Sequence, residues 1–425
     1  MNAKENFSNF SKIPIDHSWS FADKTVKDTA YITHGYYTYP AKFIPQLASR
    51  LIREYSEAGD VVIDPFMGSG TTIVEAMINN RVGIGTDIND LAYLLTKVKT
   101  TPIPTRKLLQ EFEQMESDLY RRMNFDFSKF LEKSVSFIPQ HARIDYWFPP
   151  SQRDKLAIIL ARIFEIDDEA IKNFFLVAFA QILKSCSVWL QKSVKPTRDE
   201  GKKLAEPLTL FANQAKKMLK RHDEFNNLLP AKVDVDKCRI IRCGDSRHLP
   251  CEASQAKLIV TSPPYVTSYE YADLHQLPSL WFGYLKELPE FRRKFIGSAY
   301  KNRETLELKS QLAQQIVTRF GEQKKGCEVK HYFADMLASF EEIKRVLQTG
   351  GKSCVIIGNT QFQGIDILNA EVFQEQFKNL GFETYKIIQR EIPSKMLPST
   401  RDKETGRFVK ITANQTKLAY ATEYI

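Results

Sequence analysis

Apolar and polar positions along the chain follow two regimes. From Asp60 onward, short aliphatic runs alternate with turn and helix signals. VVID (61–64) is a buried-strand run that enters a glycine-bearing turn, PFMGSG. TTIVEAMINN then reads as a helix with Ile73, Ala76 and Met77 on one face, and VGIGTDIN (82–89) as a second strand. A strand–turn–helix–strand order predicts a parallel sheet with right-handed crossovers. From about Pro104 to Val235 the spacing becomes that of amphipathic helices, through KLLQEFEQMESDLYRRM, DKLAIILARIFEI and the long apolar stretch 170–190. This is the size of an inserted helical subdomain, too long for a loop. Strand runs resume at CRIIRCGD (238–245) and AKLIVTSPPY (256–265), and an aromatic and basic segment follows from about Tyr269 to Lys330. YFADMLASFEEIKRVLQTGG (332–351) predicts a helix stopped by its glycines, KSCVIIGNT a buried strand, and DILNAEVFQEQFKNLGF a further helix. ETYKIIQREI and LAYATEYI are expected to close the sheet as an antiparallel pair. The expected division is an α/β domain over 1–103, a helical insertion over 104–235, and the rest of the α/β domain over 236–425, with a basic and aromatic insert at about 286–330.

Composition narrows the classes. The 425 residues suffice for one large domain with a big insertion. No apolar run approaches the roughly 20 residues that span a bilayer, and the first residues lack the apolar core of a signal peptide, so a cytoplasmic protein is expected. Six cysteines lie at 186, 238, 243, 251, 327 and 354 without a CxxC pair, the pattern of reduced thiols, not of a zinc site or disulfide framework. A net charge of +9 favours polyanionic partners, and its distribution is uneven. Between Gln191 and His222 stand nine Lys or Arg against three Asp or Glu, and FRRKF (291–295) is followed by Lys301 and Arg303. Each run is either a solvated face or a nucleic-acid contact.

DPFMGSGTT (64–72) is the first motif with chemical content. Gly68 and Gly70 let the backbone turn tightly and approach a ligand, and the helix opening at Thr71 points free N–H groups at the same space. A P-loop is excluded, because Gly70 is followed by two threonines and not by Lys-Ser/Thr; a dinucleotide fingerprint lacks its third glycine. About 20 residues on stands Asp87, where an α/β nucleoside site places its ribose-binding acid, with Ile88 beside it to pack on the base. The bland alternative is a helix cap. Asp245, at a third strand end, is either an acceptor for an adenine amino group or a turn former.

TSPPY (261–265) is the second. Its two prolines have restricted φ and no N–H, so the carbonyls around them are held stiffly at the carboxyl end of a parallel strand. The Ser262 hydroxyl, the Ser262 or Pro263 carbonyl and the flat face of Tyr265 together suit an aromatic amine held by two hydrogen bonds and a stack.

DPFMGSGTT with TSPPY resembles the cofactor and catalytic signatures of the amino-methylating DNA methyltransferases, most closely those that make N4-methylcytosine. HGYYTYPAKFIPQLASRLI (34–52) is similar to that family's motif where the cofactor's methionine end is held, which brings in Tyr39 and Pro40. The resemblance implies a Rossmann-like sheet binding S-adenosylmethionine through Tyr39, Pro40, Asp64, Phe66, Gly68, Ser69, Gly70, Thr71, Asp87, Ile88 and Asp245. It implies catalysis by Ser262, Pro263, Pro264 and Tyr265 on a flipped base of double-stranded DNA. Lys195, Arg198, Lys216, Lys217, Lys220, Arg292 and Arg293 are the candidate DNA contacts, and 104–235 the expected target-recognition region. No metal and no nucleophilic cysteine are implied. A prokaryotic, nucleoid-associated enzyme is expected, with any cognate restriction endonuclease a separate protein not in direct contact. The rival readings are an N6-adenine DNA methyltransferase, a base-methylating RNA enzyme and an inactive DNA-binding subunit on the same fold.

Overall fold

Residues 61–64 form β1 (Val61–Asp64), a run buried on both faces as a central parallel strand must be. In the computed structural model it is flanked by β2 (Val82–Asp87) and by β4 (Ala256–Thr261); β3 (Arg239–Cys243) pairs outside β2, and β5 (Leu347–Val355) outside β4. All four pairings are parallel, giving the Rossmann-like order β3-β2-β1-β4-β5. The structure describes residues 10–40, 42–193, 195–231, 234–266, 271–297, 306–321, 323–392, 400–402, 416–418 and 422–425. The register sets Ile63 beside Ile84 on one side and Ile259 on the other, so the strands share one apolar core. The edge strand β3 is half-solvated, which is why it alone carries two arginines.

Two expectations need correction. The helix before β5 spans Lys324–Val346 and passes straight into the strand at Leu347, so the glycines do not stop it. Gly350, at φ 74°, instead lies inside a bulge where the step from Ala256 to Leu258 on β4 matches that from Leu347 to Lys352 on β5. The apolar stretch 170–190 also breaks: its helix is Glu169–Ile182, and the chain then turns. There the Lys202 ammonium donates to the carbonyls of Lys184, Ser187 and Trp189, satisfying backbone that has left the helix. The expected antiparallel pair forms, Gln389–Glu391 against Thr422–Tyr424, but it does not close the five-stranded sheet: it is a two-stranded ladder of its own that meets the chain beyond β5 only through a bridge between Ile357 and Tyr424.

Between β2 and β3 come the helices Asp90–Lys99, Thr105–Asn124, Phe127–Ser134, Ala142–Trp147, Pro150–Phe164, Glu169–Ile182 and Pro207–Leu228. Their apolar faces do not form a core of their own. Leu91, Leu94, Leu95 and Val98 belong to the same cluster, and so do Leu277, Leu280, Trp281 and Phe291 from the chain after β4. Arg122 and Arg162 reach Asp118, Glu165 and Glu111, tying the longer helices at a half-buried ion network. Among the described residues no helix is long and apolar enough to cross a membrane. All six cysteines are free thiols.

Candidate active site

The strand order reverses between β1 and β4, the place where open α/β sheets take their ligands. A pocket opens there. Pro65, Phe66, Met67, Gly68, Ser69 and Thr71 line it from the turn after β1, Asp87 and Ile88 from the end of β2, and Asp245 and Ser246 from the end of β3. Ser262 and Pro264 come from the end of β4. Tyr39, Pro40, Lys42 and Phe43 close one wall, and Lys294, Phe295 and Ile296 another.

The glycine turn is built into place. Gly68 and Gly70 have φ of 48° and 78°, a region that side chains avoid. A Cβ at Gly70 would lie 2.7 Å from the Thr96 hydroxyl, so the turn and the helix Asp90–Lys99 need this glycine. Thr96 Oγ1 donates to the Gly68 carbonyl (3.2 Å), Lys99 Nζ to the Ser69 carbonyl (2.7 Å), and Met67 N–H to the Thr86 carbonyl (3.0 Å). The helix Thr71–Ile78 has no side-chain cap, so the first-turn N–H groups remain for a ligand at its mouth. The Ser69 hydroxyl is buried without a partner among the described residues.

Asp87 accepts from the Gly68 N–H (2.9 Å) on one oxygen and the Asn89 N–H (3.0 Å) on the other. Burial outweighs these bonds and lifts its carboxyl to about 6. It is therefore both a clamp on the turn and an acceptor with spare lone pairs facing the pocket. Asp245 also lines the pocket, but both oxygens bond the Arg247 guanidinium, whose remaining arm pairs with Asp335 at 2.6 Å. Asp64 does not line the pocket. It is 1% exposed and accepts from Thr261 Oγ1 (2.6 Å), Thr72 Oγ1 (2.7 Å) and the Phe66 N–H (3.1 Å), with its carboxyl lifted by burial to about 6. This buried acid ties the glycine turn to the residue directly before Ser262.

Within TSPPY, Ser262 and Pro264 face the pocket and Pro263 is buried. The Pro264 carbonyl accepts from the Tyr332 hydroxyl at 2.9 Å, which holds the loop against the helix Lys324–Val346. Tyr265 stands outside the pocket lining, half-buried, with its hydroxyl 3.4 Å from Glu423 and its ring near Gly358.

Residues that sequence reasoning missed include Lys42, Phe43, Ser246 and the whole wall Lys294–Ile296. FRRKF reads in the sequence as a solvated face or a nucleic-acid contact, whereas its last two residues reach the pocket. Tyr39 is backed by His275, whose ring stacks on it with centroids 4.5 Å apart; burial pulls that imidazole down to about 4, so it is neutral. Lys42 was legible as the cation inside an otherwise apolar run, YPAKFIP.

The candidate DNA contacts divide. Lys195, Lys217, Lys220 and Arg293 are exposed. Lys216 is bonded to Glu116 at 2.7 Å, and Arg198 lies over the Tyr146 ring (4.8 Å) with Glu200 at 3.3 Å. Arg292 is half-buried and bonds both oxygens of Asp273, so it serves as a brace for the segment after β4. Lys301 and Arg303 lie outside the described residues.

Comparison with known proteins gives the same direction. Residues 2–97 match the family described as DNA methylase. The chain is 29% identical to the Type II methyltransferase M.MvaI of Kocuria varians, over 88% of this chain and 87% of that one. It is 24% identical to the Type II methyltransferase M.MjaII of Methanocaldococcus jannaschii (68% and 69% covered) and 22% to the Type II methyltransferase M.BsoBI of Geobacillus stearothermophilus (83% and 79%). A glycine turn and a Ser-Pro-Pro-Tyr loop thus face one pocket on a Rossmann-like sheet, in a chain similar to DNA methylases over residues 2–97 and to Type II methyltransferases along most of its length.

Proposed function

We propose that this protein methylates the N4 amino group of cytosine in double-stranded DNA, using S-adenosylmethionine, as the modification partner of a separate restriction endonuclease. The observation that carries the reading is the convergence of Ser262 and Pro264 with Gly68, Ser69 and Asp87 on one pocket. The pocket's own chemistry fits the cofactor: Asp87 offers acceptors to ribose hydroxyls, Ile88 an apolar face, and the orphan Ser69 hydroxyl a polar contact. Bound there, the cofactor supplies an electrophilic methyl group on its sulfonium. Everything else falls to the protein.

An amino nitrogen paired in a duplex is out of reach, so the target base is extruded toward the loop. Ser262 Oγ accepts one amino proton and the Ser262 or Pro263 carbonyl the other. Drawn out of the ring plane by these bonds, the nitrogen localises its lone pair. Positioning and fixed dipoles then account for most of the rate, because the prolines and the Asp64 clamp leave the loop little to reorganise. Tyr265 would turn its ring to the extruded base. Exposed Lys195, Lys217, Lys220 and Arg293 contact phosphates, and the helices of 104–235 read the target. A nucleoid-associated, cytoplasmic location follows from that substrate. The preference for cytosine rests on Ser262, which is small and neutral where adenine-specific relatives more often carry Asp or Asn. Incubating the purified protein with unmodified DNA and identifying the modified nucleoside by mass spectrometry tests the reading. N4-methylcytosine is expected; N6-methyladenine would retain the class and overturn the base, and no methylated base on diverse DNA would overturn the activity.

A further inference from the structure

Among the described residues, the helix Lys324–Val346 lends no side chain to the pocket, yet it carries three stretches of the pocket's lining. Tyr332, Asp335 and Ser339 follow one another on it at spacings of three and four, so they share one face, and all three are buried. The Tyr332 hydroxyl donates to the Pro264 carbonyl at 2.9 Å. One Asp335 oxygen accepts from Arg247 Nη1 (2.6 Å) and the other from the Gly297 N–H (3.1 Å). The Ser339 hydroxyl lies 2.9 Å from that of Ser246. These partners belong to, or directly follow, the lining residues Ser262 and Pro264 after β4, Lys294–Ile296, and Asp245 and Ser246 after β3. Gly297, at φ 68°, fits so closely that a Cβ there would lie 3.0 Å from Tyr332 Cβ. Arg247 is shared: Nε and Nη2 bond the two oxygens of Asp245, and Nη1 bonds Asp335.

We propose that Asp335 is a positioning residue for methyl transfer: touching neither cofactor nor DNA, it holds the wall Lys294–Ile296 in register with the Asp245 side of the pocket, and Tyr332 extends the same support to the catalytic loop. The proposal rests on the reading of this pocket as the S-adenosylmethionine site. A buried ion pair adds little net stability over apolar side chains of equal volume, so what this one contributes is direction. Asp245 and Asp335 bring two negative charges to one guanidinium. Asp245 is thereby oriented without being neutralised, and stays a strong acceptor toward the pocket. The bond at the Gly297 N–H fixes where the wall ends, since Ile296 and Phe295 are the two residues before it. Both Asp335 oxygens are engaged, so a shift of either wall is passed to the other through one rigid carboxylate. A cofactor seated against Asp245 therefore stiffens the Lys294–Ile296 wall, and cofactor placement and base presentation are set together.

The test compares Asp335→Asn and Tyr332→Phe with Phe377→Leu, which thins the same core at Phe340 and Phe382 and lies outside the pocket lining. An asparagine accepts from only one of the two donors, because its other arm is an amide NH2. Asp335→Asn is expected to weaken S-adenosylmethionine binding about tenfold by calorimetry, and to lower kcat on diverse unmodified DNA by about tenfold at saturating cofactor. Tyr332→Phe should lower kcat about fivefold and leave the cofactor Kd within about twofold of wild type. Phe377→Leu should lower the urea midpoint at least as much as either and change neither constant. Hydrogen exchange supplies a readout that plain stability does not move. Saturating S-adenosylmethionine should slow exchange in wild-type peptides over 61–78 and over 291–297, and in Asp335→Asn only the first slowing should survive. Gly297→Ala approaches the same contact without removing a buried charge, by crowding Tyr332 and drawing the N–H off Asp335, and should show the same loss of kcat and of protection over 291–297. Wild-type constants in Asp335→Asn or Gly297→Ala, or losses that Phe377→Leu matches, overturn the role of Asp335 and leave the pocket reading standing. A wild type that binds no S-adenosylmethionine overturns the pocket reading, and the role of Asp335 with it.

Discussion

Thr261→Val removes one hydroxyl from the buried clamp at Asp64 and changes almost nothing in volume. Asp64 has three donors, and its carboxyl is nevertheless lifted from 3.8 to about 6, because burial outweighs them. At about 1.4 kcal/mol per pK unit, its charge opposes folding by roughly 3 kcal/mol above pH 6. The folded carboxyl holds its proton to higher pH than the unfolded one, so this part of the stability is full below about pH 4, falls as pH rises to about 6, and is flat beyond. Losing the Thr261 donor costs about 1.5–3 kcal/mol while Asp64 is ionised, but only about 1 kcal/mol once it is neutral. The loss has a ceiling of about 3 kcal/mol at pH 7.5, since protonating a group with pKa about 6 there costs about 2 kcal/mol and the neutral acid still loses about 1 kcal/mol. The expected destabilisation is therefore about 2 kcal/mol at pH 7.5 and about 1 kcal/mol at pH 4.5. Urea unfolding at the two pH values, read as the shift in midpoint with an unchanged slope, measures both. Equal shifts at the two pH values, or a larger one in acid, would refute the picture of a charged, bond-starved clamp.

Asp87→Ala should weaken S-adenosylmethionine binding about tenfold or more by calorimetry, through a lost acceptor and a turn no longer held at Gly68. In the wild type the same affinity should decline as pH falls through about 6, where Asp87 takes up its proton. Ser262→Ala is expected to lower kcat far more than it changes cofactor Kd, because its bond to the amino group counts most as the nitrogen rehybridises; a pure Kd effect would make Ser262 a pocket wall only. Replacing Lys217 and Lys220 by Gln should weaken binding to every DNA sequence and flatten the salt dependence by about one unit per lysine, with Lys216→Gln contributing less because Glu116 already holds it. An unchanged salt slope would mark that helix face as solvated.

Much of this is legible in the sequence. The strand runs VVID, VGIGTDIN and AKLIV carry a dense apolar signal because both their faces are largely covered, and the loops after the first and the last announce themselves by Gly and Pro. What pattern could not show is contact across the chain. Asp64 reads as a ligand contact when its neighbours are glycines, and only the side chains of Thr72 and Thr261 reveal that its oxygens are turned inward. Arg292 reads as a surface charge until Asp273 is placed against it. Gly350 and Gly351 resemble a helix stop, yet the helix ends at Val346, and the glycines accommodate a bulge that depends on pairing with β4, more than 90 residues away in sequence. Tyr265 shows the reverse limit. Its motif is plain in the sequence, but the ring's resting place against Gly358 and Glu423 is set by the far end of the chain.

The apolar cluster that joins the helices of 105–228 to Leu277, Leu280, Trp281 and Phe291 has an evolutionary and practical corollary. Grafting residues 104–235 alone from a relative, the block proposed above to read the target, would set a foreign helix face against the resident Trp281, which packs on Phe148 and Phe179. Gln276 would likewise lose the Arg143 and Trp147 donors that fix it one residue from His275, the ring behind Tyr39. A working chimera therefore has to carry the two stretches together, the helical block and residues 275–295, as one discontinuous cassette.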